Sequence, residues 1–242
     1  MWAQNINIEW FDNIPDNLSE YCGILIQNPD YYGEIQKITK FDDTILIVCA
    51  DLSSLSIIKP PIEADIVVGD IQPLGISANF GGPHAGYMAC KEKYMRQLPG
   101  RLVGHTIDNK GQDAYTLTIQ TREQHIKREK ATSNICSNQS LIALSVTLYL
   151  SLLGEKGFKE TGIISANLAH ELADKLKAKG INVLNHNFYN EFVISVNNAD
   201  EFLQKLKNNN ILGGIKIDNN KILVCTTEMN THEDLGKYIS SI

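Results

Sequence analysis

No C-x-x-C pair and no paired cysteine–histidine spacing occur in this chain, which argues against a zinc site. The cysteines Cys22, Cys49, Cys90, Cys136 and Cys225 are odd in number and widely spaced. Most are expected to be buried, reduced thiols of a cytoplasmic protein. An excess of positive charge is lacking as well. The formal net charge of -6 argues against non-specific nucleic-acid binding, which needs a positive surface. The longest apolar run, 141–153, is interrupted by Ser145, Thr147 and Ser151 and falls short of the roughly 20 residues of a membrane span. It reads as a buried helix, so no membrane association is expected. The segment 1–10 has neither a basic region nor an apolar core, so it does not read as a signal peptide.

Hydrophobic residues make up 43% of the 242 positions and charged residues 21%, enough for one large domain or two modest ones with real cores. The first half alternates apolar runs with helix-like segments. Runs at 23–27, 44–50 and 64–68 are separated by expected helices at 31–41 and 53–58. Continuous apolar strands joined by such crossovers predict a parallel sheet covered on both faces. A further strand is expected at 87–91 and a hairpin over 101–107 and 115–119, with the turn signal Asp108-Asn109-Lys110-Gly111. Thr121 to Gln124 has capping-box spacing and predicts the start of a helix.

Beyond the boundary at 154–157, Ile164, Leu168, Leu172 and Leu176 predict one face of a long helix, ended by Gly180. Strands at 181–184, 192–196, 215–217 and 223–226 and helices at 199–208 and 233–240 complete a small unit. The fold class is therefore α/β, with a mostly parallel large domain over 1–153 and a small C-terminal α+β domain over 154–242.

In parallel sheets the site lies beyond the carboxyl ends of the strands, where this chain places Asn28, Asp51 and Asp70. All three are equally good turn and cap residues. Asp51 stands where a carboxylate could pair a protonated pyridine nitrogen. The Schiff-base lysine that such chemistry needs is missing, because no lysine occurs between Lys59 and Lys91. No catalytic residue is assigned. Gly81, Gly82 and His84 belong to a Gly-rich loop whose amides could meet an anion, although no Gly-Lys-Ser/Thr follows it. Arg122, His125, Lys127, Arg128 and Lys130 form a basic run that reads as a solvated helix face, a subunit interface or an anion contact. No histidine has the partners of a hydrolase triad.

The stretches Ala64 to Gly75, Asn79 to Gly86 and Gln120 to Cys136 closely resemble the P-protein of the glycine cleavage system, and more narrowly its subunit 1, the α subunit of the two-subunit bacterial form. The similarity runs from about Cys22 to the C-terminus and is weaker after Gly154. It implies a fold type I pyridoxal-phosphate enzyme that decarboxylates glycine and passes the aminomethyl group to the lipoyl arm of H-protein. The cofactor lysine is implied to belong to subunit 2, and Gln72-Pro73 stands where it would be. The cofactor is then pyridoxal phosphate in the complete complex and none on this chain alone. The partners are P-protein subunit 2, H-protein and glycine. Subunit 1 of the family has a long half preceding the Cys22 region, so a truncated remnant or inactive scaffold is the alternative expectation. An independent aminotransferase or desulfurase would need a well-placed lysine.

Overall fold

The computed structural model describes residues 5–15, 17–78, 80–119, 124–131 and 139–242. Three sheets organise them. The first has the order β1-β2-β3-β4, formed by Gly23–Asn28, Ile45–Ala50, Ile66–Asp70 and Gly86–Cys90. β1, β2 and β3 are parallel, and β4 returns antiparallel to β3. β5 (Leu102–Ile107) and β6 (Asp113–Thr118) form the expected hairpin, closed where Gly111 donates to the Asp108 carbonyl. The third sheet is wholly antiparallel, in the order β7-β8-β10-β9, with β7 at Asn182–Val183, β8 at Glu191–Ser195, β9 at Ile215–Lys216 and β10 at Lys221–Cys225.

Among the described residues four α-helices accompany the sheets: α1 (Gln124–Lys127), α2 (Ser140–Ala178), α3 (Ala199–Asn208) and α4 (His232–Ser240). α3 starts where the Asn198 side chain accepts from the amides of Asp200 and Glu201. α4 starts with a capping box between Thr231 and Asp234. Both helices, with the second half of α2, cover one face of the third sheet. Phe192, Ile194, Leu206, Ile222 and Leu176 are fully buried between these layers. In the second half of α2 the buried positions are Gly162, Ser165, Ala166, Leu168, Ala169, Leu172, Ala173 and Leu176; Ile164, expected on that face, is exposed.

Several expectations need correction. Residues 31–41 form no helix. The Asp30 carboxylate accepts from the amides of Tyr32 and Glu34, a turn that diverts the chain at once. Gly33 has φ 85, and a side chain there would overlap the Glu191 carbonyl. The segment then runs extended along the third sheet, where Glu34 bridges to Phe188. Local apolar spacing thus yields to a long-range contact that only glycine permits.

The first sheet is not covered on both faces. Ile26, Leu46, Val48 and Ala50 are buried on one side, beneath Ile38, Phe41 and Leu55. On the other side Leu25 and Met88 are exposed, and Ile47, Ile66 and Val68 only half-buried. The helix at 141–153 is likewise not buried. α2 continues past it to Ala178, with non-helical geometry at Gly154 (φ 61, ψ -175). Ile142, Val146 and Tyr149 pack toward Ile71 and Leu74, while Leu141, Leu144, Leu148 and Leu152 are exposed. This helix meets the length and composition of a membrane span, yet its second half is part of a protein core. Nor are the thiols mostly buried: Cys22 and Cys225 are exposed, and Cys49 and Cys90 half-buried. Cys136 lies outside the described residues.

Candidate functional site

The carboxyl ends of β1, β2 and β3 bring Asn28, Asp51 and Asp70 to one edge of the first sheet. Each accepts from a backbone amide. The Asn28 side chain, itself buried, accepts from the Gln36 amide at 2.9 Å. Asp51 accepts from the Ser53 amide at 2.9 Å and the Ser53 hydroxyl at 2.7 Å. Asp70 accepts from the Gln72 amide at 2.6 Å. The Asx turns at Asp51 and Asp70 set the exits of β2 and β3.

The third sheet supplies what faces Asp51. Glu191 opens β8 and Cys225 ends β10, and antiparallel pairing sets them side by side. Tyr189, buried just before β8, lies close to Ser53, Ser165 and Ser56, and burial is the main cause that raises its hydroxyl pKa. Thr226 donates its hydroxyl to the Ser165 carbonyl at 3.1 Å, and the Ser165 hydroxyl reaches both Thr161 O and Glu228 Oε2. Gly162 lets α2 lie directly on the Ser54–Ser56 turn, since a side chain there would strike Ser56.

This junction is acidic. Burial, and then the charge of Asp51, push the Glu191 carboxyl above its ordinary range, opposed by a hydrogen bond from Cys225. Cys225 is crowded by protein atoms on its inner side while its surface stays open to solvent. Burial and the Glu191 carboxylate push its thiol up to about 12, so it remains protonated and a poor nucleophile at neutral pH. Burial first, then Cys49 and Asp51, raise Tyr87 to about 12; its hydroxyl donates to the Ala50 carbonyl at 2.9 Å. Among the described residues no lysine or arginine forms an ion pair with Asp51, Glu191 or Glu228. No group of three or more potential metal ligands is found among them either.

A cavity of about 210 Å³ borders this junction, lined by Glu191, Cys225 and the apolar Leu223, Leu235 and Tyr238. It lies mainly within the third-sheet unit and is smaller than most ligand pockets.

The other candidates lie apart from this junction. Gly81, Gly82 and His84 form a loop at the surface, with open space around Gly81. His125 sits in the single turn α1, and Arg128, at φ 51, ends it; both are exposed. Arg122 and the expected capping box at Thr121 fall outside the described residues, apart from Gln124. Glu191, Tyr189, Cys225 and Glu228 were not singled out as site residues from sequence. The only hint was Glu191 itself, a carboxylate opening an otherwise apolar strand.

A pyridoxal phosphate group would need an amine for its aldehyde and cationic or amide donors for its phosphate. The junction offers neither a lysine nor a paired cation, and its carboxylates repel a phosphate. These residues do not fit the cofactor as a group carried by this chain alone.

Comparison with known proteins agrees with the architecture. Residues 3–242 match the family described as "Glycine cleavage system P-protein". A relative from Dictyoglomus turgidum, "Probable glycine dehydrogenase (decarboxylating) subunit 1", is 43% identical over 239 residues, covering 91% of this chain and 53% of its own length. The crystal structure of a glycine decarboxylase (P-protein) of the glycine cleavage system, in inhibitor-bound form, superposes with a TM-score of 0.87 at 34% identity, covering 95% of this chain and 56% of that one. A cysteine desulfurase from Thermococcus onnurineus superposes at 0.61 with 13% identity, which shows the fold alone. The chain spans about half the length of the curated relatives it matches. It belongs to the glycine cleavage system P-protein family.

Proposed function

We propose that this chain is a supporting part of a cytoplasmic glycine-decarboxylating enzyme, completing and packing against a subunit that holds pyridoxal phosphate. The observation that carries this reading is the Asp51–Glu191–Cys225 junction. It has the position of a cofactor site, beyond the carboxyl ends of parallel strands, but carboxylates and a neutral thiol where an amine and cations are needed. In this proposal glycine is the substrate, subunit 2 carries the cofactor lysine, and the lipoyl arm of H-protein accepts the aminomethyl group. Gly81, Gly82, His84, His125, Arg122 and Arg128 are assigned to the contact between subunits. Asp51 has the position of a pyridine-nitrogen partner, but its oxygens are held by Ser53. The division into units at 1–153 and 154–242 belongs to the same reading and is supported by the break in α2 at Gly154.

The test has two arms. Incubation with pyridoxal phosphate followed by borohydride should leave no pyridoxyl group on this chain. Co-expression with a subunit 2 should give a complex in which that partner is labelled. Stable labelling of this chain, or no complex, would overturn the proposal. An inactive scaffold is the competing reading, favoured by the absence of an ion-paired lysine or arginine at the junction among the described residues; a complex without glycine-dependent carbon dioxide release would select it.

A further inference from the structure

β9 (Ile215–Lys216) is much shorter than β10 beside it (Lys221–Cys225), and the register pairs only Lys216 with Ile222 and Ile215 with Leu223. Two glycines end this pairing. Gly214, at φ 134, lies so close to the Leu223 carbonyl that a side chain would overlap it, and a side chain at Gly213 would strike Leu206. Tyr238 of α4 then holds the loop by donating its hydroxyl to the Gly213 carbonyl at 2.7 Å. The chain therefore leaves the sheet before Gly213 could pair with Cys225.

The peptide groups of an antiparallel strand bond alternately to its two sides. Here the Lys221 carbonyl accepts from Ile217 on the β9 side, and Thr226 donates to Asn190 on the β8 side. Cys225 therefore turns its amide and carbonyl to the outer side, where no strand follows. What lies there is the cavity of about 210 Å³. Leu172, Leu235 and Tyr238 line it from the helices and Leu223 from β10. Leu212 and Ile215, 98% and 63% exposed, add apolar side chains from the loop. Its charged lining is Glu191 and Asp234; no lysine, arginine or histidine lines it among the described residues, and Asp51 is not part of it. Asp234 uses one oxygen, Oδ2, for both of its bonds from Thr231. Lys237, the lysine of α4, is bound to Glu233 at 2.9 Å.

We propose that this cavity is a binding site for a small primary ammonium carrying a short apolar stem. An ammonium has three donors and no acceptor. The Glu191 carboxylate and the outward Cys225 carbonyl are acceptors for it, and the leucine and tyrosine walls take the stem. Two carboxylates with no cation beside them argue against an anion. The apolar walls, and the lack of any group of three potential metal ligands among the described residues, argue against a metal ion. Glycine fits poorly, since it has no stem and its own carboxylate would face Glu191 and Asp234. The volume lies below the ~300–1,000 Å³ of drug-sized ligand pockets, which suits a smaller molecule. The site stands apart from the proposed function, because neither pyridoxal phosphate nor a second subunit enters it.

The experiment titrates the full chain with butylammonium, butyrate and butan-1-ol by calorimetry. Butylammonium should bind saturably at one site and butyrate should not bind. Butan-1-ol, which has the stem without the charge, should bind at least about tenfold more weakly. Amide chemical shifts should move at 211–215, 223–226 and 230–238. Glu191→Gln keeps the shape and removes the charge, and should weaken butylammonium at least about tenfold. Its thermal unfolding is compared with the parent's, so that loss of binding is not loss of fold. Glu233→Gln, at an exposed carboxylate of α4 outside the cavity, should leave binding unchanged. Nα-acetyl-lysine methylamide distinguishes the source of the ammonium. Tighter binding than butylammonium assigns the cavity to a lysine side chain and weaker binding to a free amine, and either supports the site. No saturable binding, equal binding of butan-1-ol, or loss of binding in Glu233→Gln overturns the proposal. Because the titration contains neither subunit 2 nor pyridoxal phosphate, its failure is separable from failure of the proposed function.

Discussion

The third sheet and the first sheet are made from similar residues and end in opposite conditions. In the third-sheet unit, β8 and β10 bury Phe192, Ile194, Ile222 and Val224 beneath three helices, and both shorter helices are capped by side chains. In the first-sheet unit, equally apolar strands bury Leu46 and Val48 on one side and leave Leu25 and Met88 in solvent on the other. Strand composition is therefore not what makes a sheet self-sufficient. A sheet stands alone when the same chain supplies a layer for every apolar face.

Substitutions can break this contrast. Phe192→Ala removes a fully buried ring from the third-sheet core and should cost about 3–5 kcal/mol. Leu25→Ala, by contrast, should cost less than about 0.5 kcal/mol in the chain by itself, as surface changes do. Urea denaturation of both variants checks the pair, and equal losses would mean that the open face is covered. Gly33→Ala places a methyl group against the Glu191 carbonyl at a positive φ, so it should destabilise by more than about 1 kcal/mol. Its signature should be lost hydrogen-exchange protection at 33–36, where the first-sheet region meets the third.

Two smaller effects report on the junction. Cys22 and Cys225 are both exposed, yet the raised Cys225 thiol should react with iodoacetamide at pH 8 at least about tenfold more slowly than Cys22, measured by peptide mass spectrometry. Glu191→Gln tests the carboxylate. Its pKa is raised on folding, so the folded state binds the proton more tightly than the unfolded state. Stability from this group is therefore fullest below the unfolded carboxylate range and is lost as pH rises through the raised value. The variant should be more stable than the parent at neutral pH, with the difference vanishing on acidification. A pH-independent difference would assign the effect to packing.

The first three strands were legible in the sequence because each is a continuous apolar run, and α3 matches the helix expected at 199–208. The hairpin was legible from its turn. The segment at 31–41 was misread because its apolar spacing is local, while the contact that decides its path comes from Glu191, far along the chain. Burial of 141–153 was misread for a related reason. Apolar composition records that a face is meant to be covered, not whether the chain in hand covers it. The site divides the same way. Asp51 was visible at a strand end, whereas Glu191 and Cys225 join it only through antiparallel pairing in another sheet.

Gly154 gives α2 a property that neither half has alone. At φ 61 and ψ -175 the helical phase restarts, with open space where a side chain would be. The residues before and after it are free to face different cores without a compromise twist spread along thirty-nine positions. In evolutionary terms the glycine is an insulator. A residue inserted or lost on one side rotates only that side's faces, so the two sheets can be remodelled independently while remaining threaded on one rod.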